Sequence, residues 1–183
     1  MEIRLHGRGG QGVVKAAEII VRAAVDGNRF GVSIPFFGFE RQGAPVTASV
    51  RLSDDPIRPK TRVYHPDCLL VMDEPLLDTQ DIFEGVLPGA TLLLNSPRTP
   101  ESIDLPETVD RIATVDATAI ALDILGRNIP NTVMLGAFSA VTGEVNIDLL
   151  ARCAADSFGE INAQAVLKGA QNVRIAHPAN KGA

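Results

Sequence analysis

Hydrophobic and polar positions change period several times along this chain, and each change marks an element. Ile3 and Leu5 alternate with polar neighbours, which predicts a short strand. Over residues 13–24 the period becomes helical. Val13, Ala17, Ile20, Val21 and Ala24 share one face, while Lys15, Glu18 and Arg22 fall opposite, so an amphipathic helix is expected. Gly27 and Asn28 end it, and residues 30–34 read as a second strand stopped by Pro35. Over 46–53 the alternation is strict, with Val46, Ala48, Val50 and Leu52 on one face and Thr47, Ser49, Arg51 and Ser53 on the other. This predicts a half-buried antiparallel strand.

Residues 68–72 and 91–94 are continuous apolar runs, and 111–115 is a weaker one; such runs suit parallel strands covered on both faces. Between them the pattern predicts an exposed, proline-broken crossing at 54–59, a short helix at 76–83, a Pro88-Gly89 turn and a surface loop at 97–106. The last third reads as helices over 116–125, 133–141, 149–155 and 161–173, with Gly126, Gly143 and Gly159 marking their ends. Small residues between Leu135 and Ala140 predict close helix packing, within the domain or against a partner. A polar tail over 176–183 is expected to fray. No internal repeat or long linker interrupts the chain. The expected result is one α/β domain over 1–175, with Asp73, Asn95 and Asp116 at the carboxyl ends of parallel strands, either as ligand contacts or as caps and turn formers.

The junction between the first strand and the first helix holds the densest chemistry. Gly7, Gly9 and Gly12 fit G-x-G-x-x-G in the order strand, turn, helix, where glycines allow a tight turn and close backbone approach. The loop amides are expected to point outward unpaired, and the positive end of the helix suits a phosphate or carboxylate. A packing turn without ligand is the other reading. A dinucleotide site would place an acid about 20 residues further on, at the end of the second strand. Residues 30–37 contain no Asp or Glu there, and Asp26 precedes the strand, so a nicotinamide cofactor bound in that manner is not expected.

Composition narrows the classes. The chain has 183 residues, 45% of them hydrophobic, and a formal charge of −5 without any Lys/Arg run. That is enough for a substantial core, and it argues against nucleic acid as a partner. Cys68 sits in an apolar run and Cys153 in a predicted helix, so both read as buried hydrophobes of a reducing compartment. Without C-x-x-C spacing no iron–sulfur cluster is expected here. No leader and no apolar stretch near the roughly 18 residues of a membrane span is seen, so a cytoplasmic location is expected.

A self-sufficient active site is missing from the pattern. There is no G-x-S-x-G elbow and no Walker lysine, and His6, His65 and His177 lack metal-ligand spacing, so neither a catalytic residue nor a metal site is expected. His6, beside the glycine turn, either polarises a ligand or simply packs and bonds locally. The segment 36–45 is unusual for a loop, because three of the chain's seven phenylalanines fall there around Glu40 and Arg41. Rings gathered in a loop point to burial against another subunit or against the loop's own core. Arg41 is suited to grip a carboxylate or phosphate, with Glu40 holding it, or to form an ion pair at a subunit contact.

Two stretches resemble a known family. His-Gly-Arg-Gly-Gly-Gln-Gly-Val-Val-Lys-Ala-Ala at 6–17 and Pro-Phe-Phe-Gly-Phe-Glu-Arg-Gln-Gly-Ala-Pro-Val at 35–46 resemble the gamma subunit of 2-oxoacid:acceptor (ferredoxin) oxidoreductases, such as pyruvate and 2-oxoisovalerate synthases. The likeness continues through 50–57 and, as a looser pattern, over nearly the whole chain. The resemblance implies a Rossmann-like three-layer α/β/α fold with a mostly parallel sheet and an antiparallel strand. It also implies an assembly with alpha, beta and delta subunits. In that family a 2-oxoacid is decarboxylated on thiamine diphosphate, the acyl group passes to coenzyme A, and electrons leave through iron–sulfur clusters to ferredoxin or NAD. Thiamine diphosphate, magnesium and clusters belong to the companions. No Gly-Asp-Gly followed by Asn-Asn occurs here.

Position by position, Gly7, Gly9, Gly10, Gln11 and Gly12 match the family's glycine motif and are the expected cofactor contacts, toward coenzyme A. Gly38, Glu40, Arg41, Gly43, Ala44 and Pro45 match its second motif. With Phe37 and Gln42, the residues Gly38, Glu40, Arg41 and Gly43 form the expected interface or substrate-closing set. Gln42 departs from the family, where a second Arg is common, and so removes a charge from that motif. A freestanding nucleotide-binding dehydrogenase and a ligand-free interaction module are the competing readings.

Overall fold

The structure, a computed structural model, describes residues 1–36 and 43–177. Its centre is a sheet built from β1 (Glu2–Arg8), β2 (Phe30–Phe36), β3 (Pro45–Ser53), β4 (Cys68–Val71), β5 (Ala90–Asn95), β6 (Val109–Val115) and β7 (Arg174–Ala176), in the order β2-β3-β1-β4-β5-β6-β7. β1, β4, β5 and β6 pair in parallel; β3 runs antiparallel to both β1 and β2, and β7 is antiparallel to β6. The sheet is therefore mostly parallel in direction, and the fold is α/β.

The continuous apolar runs form strands because both faces are covered. Cys68, Leu70 and Leu93 enter a large core on one face, while Leu69, Val71, Leu92 and Leu94 enter a smaller core on the other. The large core is roofed by α1 (Val13–Asp26), α3 (Ala117–Leu125), α4 (Asn131–Thr142), α5 (Ile147–Phe158) and α6 (Ile161–Asn172). α1 buries Val13, Ala17, Ile20 and Ala24, the stripe its spacing predicts. α4 is buried almost throughout. Its Gly136 lies against the Val166 carbonyl of α6, and Gly169 of α6 lies against the Val133 carbonyl of α4, so two backbones touch where any side chain would separate them. The small residues of this helix thus serve packing inside the domain.

The other face carries a thinner layer: the one-turn helix α2 (Leu76–Thr79), a 3₁₀ turn at Pro100–Ser102, and the crossing that leads to β4. Here several expectations change. The helix expected over 76–83 stops at Thr79, because Gln80 turns extended (φ −135°, ψ 147°) and returns Ile82 to the core. β2 continues through Pro35 to Phe36, which a sheet edge permits since one side of the strand needs no partner. The polar side of β3 is not in water. Ser49 and Arg51 are buried under residues 61–63, where the Val63 N–H donates to Ser49 Oγ at 2.9 Å, and Arg51 donates to Glu2 Oε1 at 2.5 Å, to the Arg62 carbonyl at 3.0 Å and to the Thr61 carbonyl. Ala176, expected to open the frayed tail, ends β7 and pairs with Ile112.

Buried polar groups continue along β1. Arg4 donates to the carbonyls of Ile82 (2.7 Å) and Glu84 (2.9 Å), and its Nε–H donates to His6 Nε2 at 3.1 Å. Burial, aided by the adjacent Arg4 charge, pushes the His6 imidazole down to about 3. Burial likewise pushes the Cys68 thiol up to about 12. Both stay neutral near pH 7.

Two outcomes are expected. Gly136→Ala or Gly169→Ala forces α4 and α6 apart and lowers unfolding stability by about 1–3 kcal/mol, read as a lower urea midpoint. His6 gains its proton more readily unfolded than folded, so the stability it supports is complete above pH 6.5 and falls as pH drops toward 3. Between pH 7 and pH 5 the chain should lose about 2 kcal/mol more than His6→Gln in matched urea titrations.

Candidate functional site at the carboxyl ends of the strands

β1 ends at Arg8 and α1 starts at Val13, so four residues reverse the chain at the carboxyl edge of the sheet. Gly7 permits the approach of strand to helix: a Cβ there would lie 2.6 Å from Val13 Cγ2 and 3.2 Å from Met72 Cβ. Gly10 and Gly12 hold left-handed backbone, φ 99° and 79°, which only glycine adopts freely. Gly10 faces open space, whereas Gly12 lies beneath the buried Asn131 side chain at the start of α4.

The expectation of unpaired loop amides is corrected in part. The Gly9 N–H donates to the Ala44 carbonyl at 2.9 Å, the Gln11 N–H to the Arg8 carbonyl at 3.0 Å, and the Arg8 N–H to Gln11 Oε1 at 2.8 Å. These bonds tighten the turn and consume donors that an anion would otherwise meet. The start of α1 keeps its leading amides, because no side chain caps it and no acidic residue lies in its first turn. Main-chain donors therefore remain at the helix terminus.

Beside this turn β4 delivers Asp73. Arg8 Nε donates to Asp73 Oδ2 at 2.6 Å and Gln11 Nε2 donates to Asp73 Oδ1 at 3.0 Å, so both carboxylate oxygens latch the end of β1 to the end of β4. Asn95 does the same one strand further: its Nδ2 donates to the Met72 carbonyl and to Thr118 Oγ1, both at 2.9 Å, and its Oδ1 accepts from the Thr118 N–H at 3.2 Å. Asp116 caps α3 by accepting from the Ala119 N–H at 2.9 Å. All three lie at the strand ends as expected, one as a latch, one as a cross-link and one as a cap.

From β1 the chain goes through α1 to β2 on one side of the sheet, and from β4 it goes on to β5 on the other, so the connections part between β1 and β4 at a switch point of the kind where open α/β sheets take ligands. The same topology disfavours a dinucleotide cradle. β2, the strand that follows α1, lies at the sheet edge beyond the antiparallel β3 and not beside β1, and the acid after the parallel neighbour β4, Asp73, is taken up by Arg8 and Gln11.

Of the residues expected in the site, Gly7, Gly9, Gly10, Gln11 and Gly12 lie together in this turn. Gly43 joins them: its N–H donates to the Gly9 carbonyl at 3.2 Å and its carbonyl accepts from Arg8 Nη1 at 3.3 Å. Phe37, Gly38, Glu40, Arg41 and Gln42 lie outside the described residues. Sequence reasoning missed Arg8, whose partner is distant in the chain, and Asn131, which carried no local signal. Among the described residues no group of three His, Cys, Asp or Glu side chains is placed to hold a metal ion, and no helix is long and apolar enough to cross a membrane.

Comparison with known proteins identifies the family. Residues 2–172 match the family model of pyruvate ferredoxin/flavodoxin oxidoreductase. The chain is 48% identical to pyruvate synthase subunit PorC of Methanothermobacter marburgensis, over 97% of this chain and 96% of that protein. It is 46% identical to the common gamma subunit of the pyruvate/ketoisovalerate oxidoreductases of Thermococcus litoralis, over 90% and 92% of the two chains. The crystal structure of pyruvate oxidoreductase subunit PORC from Thermotoga maritima superposes with a TM-score of 0.82 at 34% identity, covering 97% of this chain and 98% of that one. The chain belongs to the pyruvate ferredoxin/flavodoxin oxidoreductase family, as a gamma subunit of the multisubunit 2-oxoacid oxidoreductases.

Proposed function

We propose that this gamma subunit uses its glycine-turn edge to shape the coenzyme A approach, or the closure over the active site, in a cytoplasmic assembly with alpha, beta and delta subunits. The companions supply thiamine diphosphate, magnesium and iron–sulfur clusters, and pass electrons to ferredoxin or NAD. The reading treats residues 1–175 as one domain.

One observation carries it. The two motifs, far apart in sequence, meet at one edge through Gly9 with Ala44, Gly43 with Gly9, and Arg8 with Gly43. Of the residues flanking Glu40 and Arg41 that the structure describes, Phe36 ends β2 and Gly43 is bonded to the glycine turn before the uncapped start of α1. Gly10 faces open space, which lets another chain or a phosphate reach the backbone. Selection of the oxoacid is left to the companions. A relative named as common to pyruvate and ketoisovalerate oxidoreductases fits that division, since one gamma chain then serves two substrates.

Asp73→Asn tests the reading, because it weakens the latch while preserving shape. In the assembled complex the expected result is an about tenfold higher KM for coenzyme A with an unchanged KM for the oxoacid. Loss of the complex on gel filtration, with coenzyme A saturation unaltered in what remains, would move the edge's role to subunit packing alone.

A further inference from the structure

On the sheet face opposite α1 lies a cavity of about 500 Å³ that the glycine-turn reading does not use. Strand register makes its floor: Phe36 of β2, Thr47 of β3 and His6 of β1 stand in one row, with Ser49 and Arg4 in the next. Residues around Tyr64 and the turn before Gly85 line its rim and leave it partly open, held together by His65 Nδ1 donating to the Gly85 carbonyl at 2.8 Å.

The floor offers donors. A guanidinium only donates, so the Arg4 bond fixes His6 Nε2 as acceptor and leaves the neutral ring's proton on Nδ1. His6 is 8% exposed, yet among the described residues nothing accepts from that Nδ1–H. Ser49 Oγ receives the Val63 N–H and keeps its own proton to give, and the Thr47 hydroxyl adds another donor. Arg62 lies over the Tyr64 ring, 4.6 Å from its centre, and makes no ion pair among the described residues.

Such a set suits an oxygen-rich anionic group. Arg4 and Arg62 stand against Asp81 and Glu84 in the lining, so its formal charges cancel; a polyanion gains no net attraction, and a single carboxylate can rely on Arg62 and the neutral donors. Half-exposed Phe36 and Tyr64 add an apolar wall, and the volume falls in the range of small-molecule sites. We propose that this cavity binds a small organic monocarboxylate, its oxygens on His6 Nδ1–H, Thr47 and Ser49 and its apolar part against Phe36 and Tyr64.

The test is an NMR titration of the ¹⁵N-labelled full chain with sodium benzoate, with sodium chloride and inorganic phosphate as parallel arms. Benzoate should shift the His6 ring and Thr47 signals saturably, and chloride and phosphate should not. Thr47→Val keeps a β-branched strand residue and should weaken binding about tenfold, as should Arg62→Gln. No saturable shift, an equal shift with phosphate, or unchanged binding in both variants would overturn the proposal.

Discussion

Where parallel strands stop, their last main-chain groups must find partners outside the sheet, and at the ends of β1 and β4 this constraint organises the molecule. Gln11 Oε1 answers it for the Arg8 N–H, Asn95 Nδ2 for the Met72 carbonyl and the Ala44 carbonyl for the Gly9 N–H, while Asp73 ties the Arg8 and Gln11 side chains together beside them. The Gly9–Ala44 bond also joins the two motifs.

The two faces of the sheet divide the remaining work. On one, five helices build a dry core in which α4 and α6 meet backbone to backbone at Gly136 and Gly169. That contact fixes α4, whose Asn131 seats Gly12 and hence the start of α1. The other face holds a smaller apolar core next to a polar one, where Arg4, Ser49 and Arg51 are buried and bonded to backbone carbonyls and amides of loops, and buried His6 accepts from Arg4. Burying such groups is tolerable only because the loops satisfy them. The price is a thin covering layer, and a cavity remains in it.

Much of this was legible in the sequence. Periodicity placed α1, β3 and the apolar central strands because each has enough residues to show its repeat, and the glycine motif placed the turn because it needs glycine at fixed offsets. β7 was invisible since three residues show no period, and its pairing with β6 is a long-range event. The buried polar side of β3 misled for a related reason: alternation tells which residues share a face, not whether another segment covers it.

The sequence by itself determined the class of fold, the helix faces, the strand–turn–helix junction and the two motifs that mark the family, because these depend on residues near one another in the chain. Only the tertiary structure decided that Asp73 latches Arg8, that Gly43 and Ala44 return to Gly9, that Asn131 covers Gly12, and that His6 lines a cavity on the far face of the sheet. Each of those is a pairing between groups whose separation along the chain carries no periodic trace, so it becomes definite only once the sheet order brings them within hydrogen-bond reach.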